Sequence, residues 1–451
     1  MSNNRFINPY NFVPFDKEPD RTTSNDTERK NTGFFDVTIK LKTDLIIPDG
    51  KKLDFDWETP IPAKDNKKHG HYRFFRLNGK PAIPGSSLRG MVRSVFEAAS
   101  NSCLPFLLDD SFTMRSPAKK KGREEQGSWK SIMGKYSPCT DIDELCPACR
   151  LFGTTEAAKE SKNGNGSLPV KGLKGRVRFT DALPTQPIKE DDIQACTLQI
   201  LAEPRPTAFE FYLNKPNVEN ATYWNCKHYI IDGKQKERQD SKLVPRGRKF
   251  YWHSRPKPAK VKKGNMNATM ECLIGGSTDF QFQVYFDGIT DTELKQLEWA
   301  LTFGENDADG RYCHKLGHAR PLGYGSVKLT IDRITLRKLR WEGNRLISST
   351  ETVENPPKDF KYCWKNQEII KALLKMADYD FSKNADRIDY PHLKDASSDD
   401  PCDDSCIFQW FVKNRKTRPI NTLPDPLAID LSLPKLEKEQ KQNHKSNSKR
   451  W

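Results

Sequence analysis

Phe280, Phe282, Val284 and Phe286 alternate with other residues, and Thr290 with Glu293 follows just ahead of Leu294, Leu297 and Leu301. A period of two predicts a half-buried strand, and the Thr/Glu pair three apart predicts a capped helix start. A further alternating run, Val327, Leu329 and Ile331, completes a strand–helix–strand unit. The first half of the chain carries the same arrangement. Val37, Ile39 and Leu41 predict a strand, and Leu88, Met91, Val92, Val95, Phe96 and Ala99 share one face of a helix. Ser87 is placed to cap that helix. Two such units make an α+β chain whose duplication lies in architecture, not in sequence.

The stretches between these units are long. Residues 1–32 read as an N-terminal arm, and residues 33–335 as the core. Short strands are expected over 72–77, 175–181 and 197–202. Residues 108–170 and 204–268 are charged or aperiodic and read as insertions. Residues 336–430 form a C-terminal extension with one clear helix over 367–376, and 431–451 a basic, disordered tail. Only 35% of the residues are hydrophobic, so polar loops should surround a modest core.

Two glycine-bearing basic segments stand out: Pro84-Gly85-Ser86-Ser87-Leu88-Arg89-Gly90 and Lys315-Leu316-Gly317-His318-Ala319-Arg320-Pro321-Leu322-Gly323-Tyr324-Gly325. Glycine admits close main-chain approach, a helix N-terminus favours an anion, and arginine forks onto phosphate. Ser86, Ser87, Arg89 and Arg93 on the helix, with Lys315, His318, Arg320 and Tyr324 on the loop, are the expected contacts to a phosphate backbone. The formal net charge of +15 points the same way. Between Lys242 and Lys263 nine cations occur without an acid and are interrupted by Phe250, Tyr251, Trp252 and His253. Cations interleaved with aromatics suit single-stranded nucleic acid, so Arg246, Arg248, Tyr251 and Trp252 join the expected contacts. The plainer alternative is a solvated hairpin with a small aromatic cluster.

Cys139, Cys146 and Cys149 have the spacing of a zinc knuckle, and Cys103, at the end of the first helix, is the natural fourth ligand. Structural zinc is expected there. Cys402 and Cys406 read as two thiols in an Asp-rich loop. Asp49, Asp54, Asp56, Asp65, His69 and His71 crowd the segment before the first helix, where carboxylates could hold magnesium or an imidazole could act as base. Nucleotide-binding loops of the Walker type, dinucleotide fingerprints, serine-hydrolase spacings and zinc-protease helices are not found, which disfavours those classes. Met1 to Phe6 has no signal-peptide core, and no run approaches a membrane span. Eleven cysteines without such a signal fit a reducing, cytoplasmic setting.

Taken together, these residues resemble the RAMP superfamily of CRISPR-associated proteins. The matching pieces are Ala82 to Gly90, Cys146-Pro147-Ala148-Cys149-Arg150-Leu151-Phe152-Gly153, Gly175-Arg176-Val177-Arg178-Phe179-Thr180-Asp181-Ala182 and Leu322-Gly323-Tyr324-Gly325-Ser326, and Asn8-Pro9-Tyr10-Asn11-Phe12 is similar to one type III subfamily. The likeness spans residues 5–335. It implies a ferredoxin-like, RNA-recognition-motif-like fold and a backbone subunit that wraps crRNA in a type III effector complex beside other RAMP-type subunits, capturing target RNA. It also implies a projecting thumb, expected here in 204–268. Ribonuclease members of the family carry an aspartate just before the strand that leads to the Pro-Gly-Ser-Ser motif. Here that position is His71, and the nearest aspartate is Asp65, so the sequence favours a subunit that binds without cutting. Two alternatives stay open: a stand-alone RAMP-type endoribonuclease that processes RNA, and a zinc-stabilised RNA-binding protein outside CRISPR.

Overall fold

Strand alternation decides the centre of the molecule. The computed structural model describes residues 4–21, 30–50, 69–105, 111–115, 124–155, 172–201, 208–215, 228–231, 234–237, 243–256, 263, 267–354, 363–394 and 404–437. The chain enters with β1 (Tyr10–Val13) and β2 (Asn31–Leu41), then α1 (Gly85–Ala99) and the short α2 (Pro147–Phe152). β3 (Val177–Phe179) and β4 (Arg248–Tyr251) precede the long β5 (Asp279–Ile289) and α3 (Asp291–Thr302). β6 (Ser326–Glu342), β7 (Arg345–Glu354), α4 (Gln367–Ala377) and α5 (Asp404–Asn414) complete the set used below.

β2 lies between β5 and β6, antiparallel to both, with β3 outside β5. Register places Phe282, Val37 and Ile331 in one row and Phe280, Ile39 and Leu329 in the next. All six are buried, because period-two alternation turns every one of them to the same face. α1, α3 and α4 belong to the core on that face; α1 packs on α3 and α4, and α3 packs on β6. The other face carries Asp36, Thr38, Gln283 and Asp332, joined by hydrogen bonds such as Thr38 Oγ1 to Asp332 at 2.7 Å. This is a mixed α+β architecture, as expected.

The capping box forms as the sequence predicts: Glu293 N–H donates to Thr290 Oγ1 at 3.1 Å and Thr290 N–H to Glu293 Oε2 at 3.0 Å. Ser87 does not cap α1. The helix starts three residues earlier, at Gly85 after Pro84, and no side chain caps it. The strand expected over 197–202 is instead Ile193–Thr197.

Arm, extension and tail are not separate bodies. Arg5–Ile7 pairs antiparallel with Ser432–Pro434, and β1 pairs with β4. Phe6, Phe12, Phe211, Trp410 and Leu433 share one buried cluster. Apolar side chains drawn from both ends of the sequence bury each other, so residues 432–434 are strand and not disordered tail. α4 matches the helix read over 367–376, while α5 lies in a part of the extension where no helix was expected.

Candidate functional site

The sequence motifs clasp one another. Gly85 N–H, at the first turn of α1, donates to Asp181 Oδ1 at 2.7 Å, and Ile83 and Ala182 exchange main-chain hydrogen bonds. The anion favoured at that helix N-terminus is thus a carboxylate of the chain itself. A Cβ at Gly85 would lie 2.5 Å from the Phe179 carbonyl oxygen and 2.8 Å from that of Thr180. Main chain cannot yield as a side chain can. Gly85→Ala is therefore expected to destabilise the fold by about 1–3 kcal/mol, read as a lower denaturant midpoint.

Arg89 donates to the carbonyl of Phe152, and Arg93 to that of Gly153 at 3.4 Å. Both guanidinium groups sit over the Phe152 ring, at 5.7 and 5.9 Å, and Arg93 also pairs with Glu97 at 2.6 Å. The two arginines close the C-terminal end of α2, where unsatisfied carbonyls attract cations. They were expected on phosphate; their donors are engaged within the protein. Ser86 is exposed and Ser87 half-buried on the outside of the same turn.

α2 carries Cys149 of the cysteine cluster, and Cys146 is its N-cap. The Sγ atoms of Cys103, Cys139, Cys146 and Cys149 all lie within 4.8 Å of one another, and all four residues are buried. Cys103 Sγ is 3.5 Å from Cys149 Sγ and 3.6 Å from Cys146 Sγ. Tetrahedral zinc with Zn–S of about 2.3 Å needs Sγ atoms about 3.8 Å apart, whereas a disulfide needs about 2.0 Å. All four thiols are free. Spacing, donor type and separations fit a metal such as zinc.

β4 separates its residues by strand parity. Arg248 faces inward: it donates to the carbonyl of Ser102 and to that of Cys103 at 3.4 Å, and lies 3.9 Å from Glu97. Trp252 stacks on Phe381 at 4.3 Å and is 1% exposed. Neither can reach an RNA strand, which corrects the expectation for both. Arg246 donates to the Leu213 carbonyl at 3.1 Å. Tyr251 is half-buried on the opposite side of β4. There Lys249, one of the nine cations of the basic run but not among the expected contacts, lies 3.7 Å from the Tyr10 ring centre and donates to Tyr212 Oη at 3.2 Å. Alternation along the strand was the available signal, since Lys249 and Tyr251 share one parity and Arg248 has the other.

The glycine loop reaches the same place. Lys315 Nζ donates to the carbonyls of Gly323 and Tyr324, at 3.2 and 3.0 Å, so it ties the loop and does not point outward. Gly325 has φ +73°, and a Cβ there would meet the Leu316 oxygen at 1.8 Å. Close approach here is chain on chain. Tyr324 is half-buried against the cluster of Leu198, Met270 and Ala319. His318 and Arg320 are exposed. Arg320 covers the Tyr251 ring at 5.1 Å. Met91 and Ser94 of α1, Lys249 and Tyr251 of β4, and Arg320 line one small crevice together with buried Phe303, His314 and Leu373, so helix and loop meet beside Lys249 with Ser94 and Arg320 exposed at its edge.

Of the expected catalytic residues, Asp65 lies outside the described residues. His71 is 1% exposed, in a strand over Gly70–Tyr72 that runs parallel to Ala268–Leu273 with Thr269 opposite. That burial removes it as a base for a scissile phosphate. Lys242, Lys257, Lys260 and Lys262 of the basic run, and Cys402, lie outside the described residues. Residues 243–256 lie against the body. The exposed arm is elsewhere: from Arg337 onward β6 pairs with β7 and no longer with β2. Trp341, 71% exposed, stands on this hairpin with Leu339 and Leu346.

The model of the RAMP superfamily matches residues 38–328, more than half of the chain. No curated protein matches. Among solved structures, the crystal structure of Thermofilum pendens Csc2 is 12% identical, with 81% of this chain and 79% of that chain covered and a TM-score of 0.28. A type IV-B CRISPR complex chain is 15% identical, with 69% and 94% covered and the same TM-score of 0.28. Among the described residues, no helix is long and apolar enough to cross a membrane.

Proposed function

Because the chain belongs to the RAMP superfamily, we propose that it is a crRNA-binding backbone subunit of a type III CRISPR effector complex, built on the ferredoxin-like core that residues 33–335 would form. The observation that carries the reading is the crevice shared by α1, β4 and the glycine loop. Two elements from opposite halves of the chain converge there on Lys249, Tyr251 and Arg320. Cations beside aromatic faces track a phosphate backbone and accept stacked bases without reading sequence. His318, with Ser86 and Ser87, extends the contact; Arg246 and Tyr324 border it. Other RAMP-type subunits and the target RNA are the proposed partners. The test is the protein isolated from cells that express its own CRISPR array: it should carry RNA of one defined 5′ sequence. A stand-alone processing enzyme would instead release cut RNA, and a general RNA-binding protein would carry a mixture.

Zinc in the four-cysteine cluster has a structural part in this reading. It would join the end of α1 to α2 and hold the motifs in register. Cleavage is proposed to lie with other subunits. If Asp65 does place magnesium for cutting, Asp65→Ala in the assembled complex will lose one target product while target binding persists.

We place the projecting element of the subunit at the β6–β7 hairpin. Its tip carries Leu339, Trp341 and Leu346 in the open, with Arg337 and Arg340 on the same strand. Exposed apolar side chains grouped on an arm suit a partner surface or the gap between guide and target. Replacing residues 339–346 by a short Gly-containing turn should leave the thermal midpoint within a few degrees and lower target capture about tenfold or more, measured by gel shift on the assembled complex. Unchanged capture would make the hairpin a solvated arm.

A further inference from the structure

A cavity of about 380 Å³ opens between β1, β4, the glycine loop and α5. Tyr10, Tyr212, Tyr251 and Tyr390 wall it, and Lys249 and Arg320 supply charge. Arg415 also lines it but is paired with Glu210 at 3.3 Å. Lys249 is different. Its ammonium rests on tyrosine rings and one hydroxyl, and Arg320 is its charged neighbour. Burial brings its pKa down to about 8. A half-buried cation held by π faces, with no carboxylate beside it among the described residues, leaves a place for an anion. The aromatic walls leave a place for a flat ring. One molecule that has both parts is a nucleotide.

A second cavity of about 390 Å³ shares Pro321 and Tyr390 with the first and is lined by Gln194, Thr197, Ser254 and Arg255. Two adjoining cavities, one aromatic and one polar, follow the glycine loop. A polymer would fill both; a free mononucleotide would fill one.

We propose that the aromatic cavity takes one unstacked nucleotide of the bound RNA, its base against Tyr251 and Tyr390 and its phosphate on Lys249 and Arg320, while the strand continues past Pro321 into the polar cavity. This rests on the RNA-binding reading above and goes beyond it, because it makes one nucleotide position distinct from the rest. Single-stranded recognition commonly splays a base out of its stack onto aromatic side chains.

The test uses the full chain and a guide-length RNA into which one abasic residue is placed at each position in turn. Expected is a loss of about tenfold or more in affinity at one position and little elsewhere, the scale of one stacking contact. That penalty should vanish in Tyr390→Leu, and Lys249→Gln should lower the salt slope by about one. Circular dichroism on both variants checks that they fold, and a 4-thiouridine crosslink from the sensitive position to the peptide holding Tyr251 supplies a readout that needs no variant. Equal loss at every position, with tight binding of intact RNA, would overturn the cavity proposal and leave the RNA reading standing. No RNA binding at low salt would overturn both. Uridine or adenosine 5′-monophosphate bound at micromolar concentration, with no position-specific effect in RNA, would make the occupant a free nucleotide and also overturn it.

Discussion

Cys146→Ser is expected to release one zinc ion per chain and to lower stability by about 4–5 kcal/mol or more. Cys146 is completely buried, its Sγ is 3.6 Å from that of Cys103, and its N–H points at Cys139 Sγ at 3.4 Å. If the cluster held no ion, serine would replace a small buried thiol at far lower cost, on the order of 1 kcal/mol. The size of the effect therefore decides between the two states. Elemental analysis of protein purified without chelator, with denaturant unfolding of wild type in the presence and absence of chelator, measures both quantities. Zinc retained in Cys146→Ser would exclude Cys146 as a ligand; retained in Cys103→Ser, it would change only the fourth position.

Arg248→Met is expected to cost about 3 kcal/mol. The side chain is 8% exposed and its donors serve the Ser102 and Cys103 carbonyls, main chain at the edge of the cysteine cluster. Methionine fills the volume and supplies no donor, so those carbonyls remain buried without it. Glu97, 3.9 Å away, also loses a cation and keeps Arg93. Burial already raises the Glu97 pKa, and Arg248 opposes that rise. Without Arg248 the folded-state pKa climbs further above the unfolded one. A carboxyl raised on folding stabilises when protonated, so the deficit of the variant against wild type should shrink as pH falls through the folded Glu97 pKa and be full above it. Chemical denaturation of both proteins across that range reads the difference. RNA affinity per folded molecule should stay unchanged, which separates this residue from Lys249 one position along.

The sheet was legible because its signal is local. Val37, Ile39 and Leu41, or Phe280 to Phe286, reveal a buried face by alternation alone, and Thr290 with Glu293 reveals a helix start within four residues. Cys139, Cys146 and Cys149 were legible because their spacing is short, and Cys103 because it follows the first helix. The binding surface was only partly so. Whether Arg248 or Lys249 faces outward depends on β1, whose Phe12 and Val13 pair with them from more than two hundred residues away. Arg89 and Arg93 read as phosphate ligands because their partners, the carbonyls of Phe152 and Gly153, are main chain and carry no side-chain signature. His71 matched a motif position, but its burial comes from the Ala268–Leu273 strand. α5 was hidden by the acidic residues ahead of it. Tyr10 was legible only as part of the Asn8-Pro9-Tyr10-Asn11-Phe12 likeness and Tyr212 not at all, since neither stands beside Lys249 until the fold sets it there.

The pairing of Arg5–Ile7 with Ser432–Pro434 has a consequence for synthesis. Arg5 Nε donates to Ser432 Oγ at 2.7 Å across a separation of 427 residues. A ribosome adding about 5–20 residues per second delivers the second strand roughly 20–85 seconds after the first. For that interval Phe6 and Phe12 lack Trp410 and Leu433, the late half of their cluster. Over that interval Phe12 can already meet Phe211 and Tyr212, whereas Phe6 waits for Trp410 and Leu433. A chain cut before Ser432 would lack the strand that pairs with Arg5–Ile7, and Phe6 would lose the cover of Leu433.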